Sequence, residues 1–132
     1  MKRLAPILLV ATTFGASPAS AAEISTHILD LARGNGGANV PVTLARRDAA
    51  GAWTKVAEAS TDANGRVRSF GPSESFIPGT YRLQFDMTRY AAGPSAPFFP
   101  EIVITFSVTD AGAHYHVPVA VSPFGYSTYR GN

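Results

Sequence analysis

The sequence predicts an all-β protein, a sandwich of two sheets with one short helix. Twelve glycines and ten prolines make up 22 of the 132 residues, and both residue types interrupt helices. Several short segments alternate apolar and polar residues with a period of two, which is typical of strands with one buried face. Because 45% of the residues are hydrophobic and only 15% are charged, we expect a single domain with one core.

The first 21 residues have the composition of a cleavable secretory signal. They combine a positively charged start, a mostly apolar stretch over residues 4–14 and Ala-Ser-Ala at residues 19–21. Two prolines and a glycine interrupt a segment that is already shorter than the ~20 apolar residues needed to span a bilayer, which argues against a membrane anchor. We therefore expect a signal peptide over residues 1–21, a mature domain over residues 22–132, a periplasmic or secreted location, and no membrane attachment after cleavage.

Charge and cysteine content exclude several classes of function. The net charge of +2 comes entirely from Lys2 and Arg3, so the mature domain is balanced and shows no basic run interleaved with aromatics that would favour nucleic acid as a partner. The chain has no cysteine, which removes thiolate nucleophiles, redox pairs and sulfur-ligated zinc. No Walker-type glycine loop is present either.

Strands are predicted in order along the mature chain. The first runs from Ser25 towards Leu31. Alternation then predicts strands at residues 40–44, 53–59, 81–85, 102–108 and 114–121.

Two connections have recognisable local signals. Asn64 and Gly65 form a pair that readily adopts positive φ, so residues 61–65 are predicted to reverse the chain after the 53–59 strand. Residues 87–92 are predicted as the short helix, ended by the Gly-Pro pair at residues 93–94.

The strand at residues 114–121 has two different faces. Tyr115 and three valines share the face that suits a core, whereas His114 and His116 lie side by side on the opposite face. His27, the third histidine of the chain, lies on the first predicted strand. A lone histidine in a β domain is usually structural, but paired imidazoles on a non-core face predict a functional surface, since an imidazole with a pKa of about 6.5 suits proton transfer near neutrality.

Five segments carry a family resemblance. They are Ser-Thr-His at 25–27, Gly-Arg at 65–66, Phe-Phe-Pro-Glu at 98–101, His-Tyr-His-Val-Pro at 114–118, and Ser-Pro-Phe-Gly-Tyr-Ser-Thr-Tyr-Arg-Gly-Asn at 122–132. Together they resemble the 5-hydroxyisourate hydrolases, transthyretin-like enzymes of urate breakdown, over essentially the whole mature chain. The C-terminal segment is the most specific, because the family ends in Tyr-Arg-Gly-Ser and transthyretin, a hormone carrier of the same fold, lacks that tail. The chain departs from the family pattern at Asn132, which is usually Ser, and at Asn64, which is commonly Asp.

The resemblance implies a fold, an activity and a set of site residues. The implied fold is the transthyretin-like (prealbumin-like) sandwich. The implied reaction opens the six-membered ring of 5-hydroxyisourate by histidine-assisted attack of water on its ring amide, giving 2-oxo-4-hydroxy-4-carboxy-5-ureidoimidazoline, with no cofactor and no metal. The implied catalytic residues are His27, Arg66 and His116, and the implied substrate contacts are His27, Arg66, Tyr129, Arg130 and His114. The family also implies a homotetramer in which the tail folds into active sites that lie in a channel between subunits.

Two other functions remain open on the sequence. A transthyretin-type carrier would bind a small ligand in the same channel without converting it. A metal-binding periplasmic protein could use the three histidines, although no nearby thiolate or carboxylate completes an obvious ligand set.

Overall fold

The structure, a computed structural model, describes residues 23–71, 76–90 and 96–132. Every regular element in these ranges is a strand. The strands are β1 (Glu23–Asp30), β2 (Asn35–Gly36), β3 (Pro41–Arg47), β4 (Trp53–Ser60), β5 (Arg66–Val67), β6 (Gly79–Asp86), β7 (Glu101–Val108), β8 (His114–Ser122) and β9 (Gly125–Thr128). The all-β prediction and all six predicted strands are confirmed, with ends shifted by no more than three residues, and the short strands β2, β5 and β9 are additional.

The strands form two sheets. One sheet has the antiparallel order β4-β3-β6-β7. The other follows the path β2-β1-β8-β9, and β5 also pairs with β1. The β1–β8 pair is parallel, and it joins segments that are about 90 residues apart in the sequence. This pairing places the first and last long strands side by side in one sheet.

The core lies between the two sheets and is built from alternate residues of their strands. Ile24 and Ile28 of β1 and Leu44 and Leu83 of the opposite sheet have no exposed surface. Burying a side chain of this size contributes about 1.5–3 kcal/mol to folding. Tyr115 and the valines of β8 belong to the same cluster, as their period of two predicts. The histidine face of β8 is therefore the outer face of its sheet.

The predicted short helix is wrong for residues 87–90, which form a turn after β6. The Asp86 carboxylate accepts hydrogen bonds from the backbone N–H and the hydroxyl of Thr88, at 3.0 and 2.6 Å. Such a side-chain contact competes with the helical hydrogen-bond pattern. Residues 91–92, the remainder of the predicted helix, lie outside the described residues.

The predicted signal peptide, residues 1–21, also lies outside the described residues and stays a prediction. In the described ranges there is no helix with the length and apolarity needed to cross a bilayer.

The turn between β4 and β5 packs tightly against β1. The Asp62 carboxylate accepts hydrogen bonds from the backbone N–H groups of Asn64 and Arg66, both at 2.9 Å. Gly65 has a φ of 79°, and a Cβ atom at this position would lie 2.5 Å from the carbonyl oxygen of Ile28. A side chain at residue 65 would therefore force the turn away from β1, and Arg66, which follows it, would move too.

Replacing this glycine should destabilise the protein more than positive φ alone explains. We expect Gly65→Ala to lower the free energy of unfolding by about 2–4 kcal/mol, because the left-handed backbone and the clash with β1 add together. Gly34→Ala is the matched control, since Gly34 has a similar φ of 71° but open space around it, and it should cost about 1 kcal/mol. Urea unfolding of both variants measures the difference. Equal losses would contradict the close packing.

Candidate active site

Three neighbouring strands present polar side chains on the outer face of the β1 sheet. Within β1, Glu23, Ser25 and His27 share this face, because side chains of a strand alternate between faces. The parallel register with β8 sets Glu23 opposite His114 and Ser25 opposite His116. On the other side of β1, the antiparallel register with β5 sets His27 opposite Arg66. Three strands thus bring all three histidines and Arg66 together.

A pocket of about 240 Å³ opens on this face. Its lining residues are Ser25, Thr26, Arg66, Val67, Arg68, His114, His116 and Asn132. The described lining carries two guanidinium groups and no Asp or Glu side chain, so it suits a ligand rich in carbonyl oxygens or negative charge. His27 lines an adjacent depression, and Arg66 lines both.

A chain of polar contacts runs along this face from the pocket to solvent: two hydrogen bonds of the Ser25 hydroxyl, and an ion-pair contact between His114 and Glu23. The Ser25 hydroxyl lies 2.8 Å from Nδ1 of His116 and 2.9 Å from Nε2 of His114. Nδ1 of His114 lies 3.3 Å from a carboxylate oxygen of Glu23. Ser25 is buried, whereas about half of the His114 and Glu23 side-chain surfaces is exposed. The chain therefore begins at a partly buried imidazole and ends in water.

The carboxylate at the end of this chain determines the direction of each bond when both imidazoles are neutral. The negative charge of Glu23 lies next to Nδ1 of His114 and repels a lone pair there, which favours the tautomer with the proton on Nδ1 and leaves Nε2 as an acceptor. The Ser25 hydroxyl then donates to His114 and accepts from Nδ1–H of His116. Nε2 of His116 is left without a proton, in the form that a general base requires.

A backbone carbonyl orients the imidazole of His27. Its Nε2 lies 2.9 Å from the carbonyl oxygen of Asn64. Since a carbonyl only accepts, Nε2 carries the proton and Nδ1 is unprotonated in the neutral ring. The contact is made by the main chain, so the presence of Asn instead of Asp at residue 64 leaves it intact.

Two of the imidazoles are biased towards the neutral form. Burial, followed by the charge of Arg66, holds the pKa of His27 below its ordinary value. Burial, Arg66 and then the other two histidines do the same to the pKa of His116. Both rings therefore remain neutral, and available as bases, to a lower pH than a free imidazole.

The tail of the chain closes over His116. After β9 pairs with β8, the backbone N–H of Gly131 donates to the carbonyl of His116 at 2.8 Å. A Cβ at residue 131 would lie 2.5 Å from Cδ2 of the His116 ring, so only glycine fits here without moving the imidazole. Asn132 then lines the pocket.

Tyr129 and Arg130 lie apart from the histidines of their own chain. Both line a separate groove beside Ile104 and Phe106 of β7. The Arg130 guanidinium stacks 5.0 Å from the centre of the Tyr115 ring, and Tyr129 is 56% exposed. Within one protomer the pocket therefore contains His114, His116 and Arg66, with His27 beside it, but neither of these two tail residues.

Sequence reasoning assigned no role to Glu23 or Ser25. The alternation of side chains along β1 places both residues on the same face as His27, and this could have been inferred from the sequence. Their contacts with His114 and His116 could not, because these depend on the pairing of β1 with β8. No cluster of three metal-ligating side chains was found in the described part of the chain.

Comparison with known proteins gives a family match over nearly all of the described chain. Residues 24–131 match the HIUase/Transthyretin family. A 5-hydroxyisourate hydrolase from Caulobacter vibrioides is 44% identical, over 83% of this chain and 97% of the relative.

Solved structures of two kinds are similar to this one. The structure of Klebsiella pneumoniae 5-hydroxyisourate hydrolase matches with a TM-score of 0.72 and 30% identity, over 84% of this chain and 99% of the other. Transthyretin from Sparus aurata matches with a TM-score of 0.76 and 29% identity, over 82% and 95%. The fold is therefore the transthyretin-like sandwich, and overall shape alone does not separate a hydrolase from a carrier.

Removing the charge of Arg66 should raise the pKa of both neighbouring imidazoles. NMR titration of wild type should show His27 and His116 losing their protons below the ordinary pH range, and Arg66→Gln should move both titrations to higher pH because a repelling cation is gone. Arg68→Gln is the matched control, since Arg68 lines the same pocket and approaches Asp62 at 3.8 Å but is not among the causes of either imidazole shift. Unchanged titrations in Arg66→Gln would contradict this electrostatic account.

Proposed function

We propose that this chain, which belongs to the HIUase/Transthyretin family, hydrolyses 5-hydroxyisourate in urate degradation. The observation that carries the proposal is the meeting of His27, Arg66 and His116 on one sheet face, in a chain 44% identical to a 5-hydroxyisourate hydrolase. Each imidazole keeps one unprotonated nitrogen, and a permanent cation stands next to them.

The reaction needs a base for water and a positive charge for the oxygen of the attacked carbonyl. His116 is the general base in this proposal, because its Nε2 is unprotonated and the ring lines the pocket. A water molecule adds to the carbonyl carbon of the ring amide, and one proton of this water passes to Nε2 of His116. Arg66 cannot release its proton, so it orients the substrate and stabilises the developing oxyanion.

Collapse of the tetrahedral intermediate breaks the C–N bond of the ring. The leaving nitrogen takes back the proton that His116 accepted from water, and the new carboxylic acid loses its own proton to solvent, which gives 2-oxo-4-hydroxy-4-carboxy-5-ureidoimidazoline. His27 contributes a second neutral imidazole at the edge of the pocket, where it holds the substrate and assists the proton transfers. All these steps use side chains of this protein.

The carrier reading is the alternative. Its support is the structural similarity to transthyretin, and a sea bream transthyretin structure contains thyroxine. The pocket of this chain favours the hydrolase, because two arginines and two imidazoles line it, whereas a carrier of an apolar aromatic ligand needs a mostly apolar lining.

The finer parts of the proposal concern assembly and location. We propose a homotetramer in which Tyr129 and Arg130 reach the substrate from a neighbouring subunit, since within one protomer they lie away from the imidazoles. We also propose export to the periplasm or the medium, on the composition of residues 1–21.

Catalysis should depend on the two neutral imidazoles. We expect purified protein to accelerate the decay of freshly made 5-hydroxyisourate, and His116→Ala and His27→Ala to lower kcat by about 10²-fold or more, the scale for loss of a general base. The measurement is the absorbance time course with and without protein, with circular dichroism as the control for folding. If wild-type protein does not accelerate the spontaneous decay, the hydrolase proposal is wrong and the carrier function is favoured. If a variant has the wild-type kcat, the replaced histidine has a structural role only.

Removal of residues 129–132 should separate folding from activity. The core valines of β8 remain in this truncation, so we expect its unfolding transition and its tetrameric mass in light scattering to persist. Activity should fall at least 10²-fold, because the Gly131 contact with His116, the pocket residue Asn132 and both proposed substrate contacts are lost. Asn132→Ser, which keeps a polar side chain, should change kcat/KM only a few-fold. Full activity in the truncated protein would remove the tail from the site.

A further inference from the structure

We propose that Ser25, His114 and Glu23 form a proton relay that carries the proton accepted by His116 towards solvent and returns it for the leaving nitrogen. The proposal rests on the proposed function and adds three residues to it. Two of them, Glu23 and Ser25, have no part in the mechanism described above.

The geometry supplies an unbroken path. The two links through the Ser25 hydroxyl measure 2.8 and 2.9 Å, which is within the range for strong O–H and N–H hydrogen bonds. The Glu23 carboxylate makes an ion-pair contact of 3.3 Å with Nδ1 of His114, so it stabilises a proton on that ring. A hydroxyl accepts and donates at once, so Ser25 can receive a proton from one imidazole while it gives its own to the other.

Each transfer balances. When Nε2 of His116 takes a proton from water, its Nδ1 proton moves to Ser25 Oγ, and the former Ser25 hydroxyl proton moves to Nε2 of His114. His116 is then neutral, Ser25 is again a hydroxyl, and His114 is an imidazolium beside a carboxylate. On collapse of the intermediate the same protons return, as Nε2 of His116 gives its proton to the leaving nitrogen.

Electrostatics gives the relay its direction. A charge on His116 would be partly buried and close to the permanent cation of Arg66, and these two effects lower the pKa of that ring. A charge on His114 is half exposed and next to the Glu23 carboxylate. Moving the charge outward therefore relieves repulsion inside the pocket while the tetrahedral intermediate exists, and it keeps His116 neutral.

Ser25→Ala tests the relay directly. We expect kcat to fall about tenfold, less than for loss of the base itself, with KM nearly unchanged. Added imidazole at constant pH should then restore kcat in proportion to its concentration, because a small diffusing base can take the proton from His116. Wild type should show no such dependence.

Glu23→Gln tests the outer end at an exposed position that the fold does not need. The amide keeps the size and polarity of the side chain, but the charge is lost, so we expect a two- to threefold lower kcat, on the order of the effect of an exposed ion pair. Glu58→Gln is the matched control, because Glu58 is an exposed carboxylate on β4 that pairs with Lys55. Its kcat should equal that of wild type.

The outcomes separate this proposal from the function it rests on. An active wild type together with a Ser25→Ala variant of unchanged kcat would overturn the relay alone. So would a slow variant that does not respond to imidazole, because Ser25 would then only orient His116. A wild type that does not accelerate the decay of 5-hydroxyisourate would overturn both proposals.

Discussion

The parallel pairing of β1 with β8 is the constraint on which the rest of the site depends. It joins two strands about 90 residues apart and sets Ser25 beside His116 and Glu23 beside His114. The inner faces of the same two strands are filled by core residues such as Ile24 and Tyr115. A shift of register by one residue would turn these core residues outward, so burial of the inner face also holds the outer face in register.

Concentrating positive groups on one face has an electrostatic cost that the structure offsets in two ways. Arg66 lies next to His27 and His116, and partial burial together with this cation lowers the pKa of both rings, which favours their neutral forms. Two acidic side chains that contact the group, Glu23 and Asp62, do not line the pocket. The pocket thus keeps a permanent cation for substrate and neutral nitrogens for protons, the division of roles that amide hydrolysis requires.

Two glycines bring backbone close enough to position these groups. Gly65 allows the turn after β4 to lie against β1. As a result, Arg66 lies beside His27, and the Asn64 carbonyl contacts the His27 ring. Gly131 lets the tail lie against the His116 ring. In both places a methyl group would collide with its neighbour, so the geometry of the candidate site depends on two residues that have no side-chain chemistry of their own.

The sequence by itself determined the six longest strands, the two faces of β8 and the family. A period of two is a local property, so it identified Tyr115 as core and His116 as surface without any knowledge of partners. Periodicity says nothing about which strand lies next to which. The roles of Glu23 and Ser25 and the separation of Tyr129 from the histidines therefore followed only from the tertiary structure. The turn in place of the predicted helix has a local cause instead, because two hydrogen bonds from Thr88 to the Asp86 carboxylate compete with the helical hydrogen-bond pattern. Strand pairing is decided by burial of the whole inner surface of the two sheets. The free energy gained from this burial includes contributions from both ends of the chain.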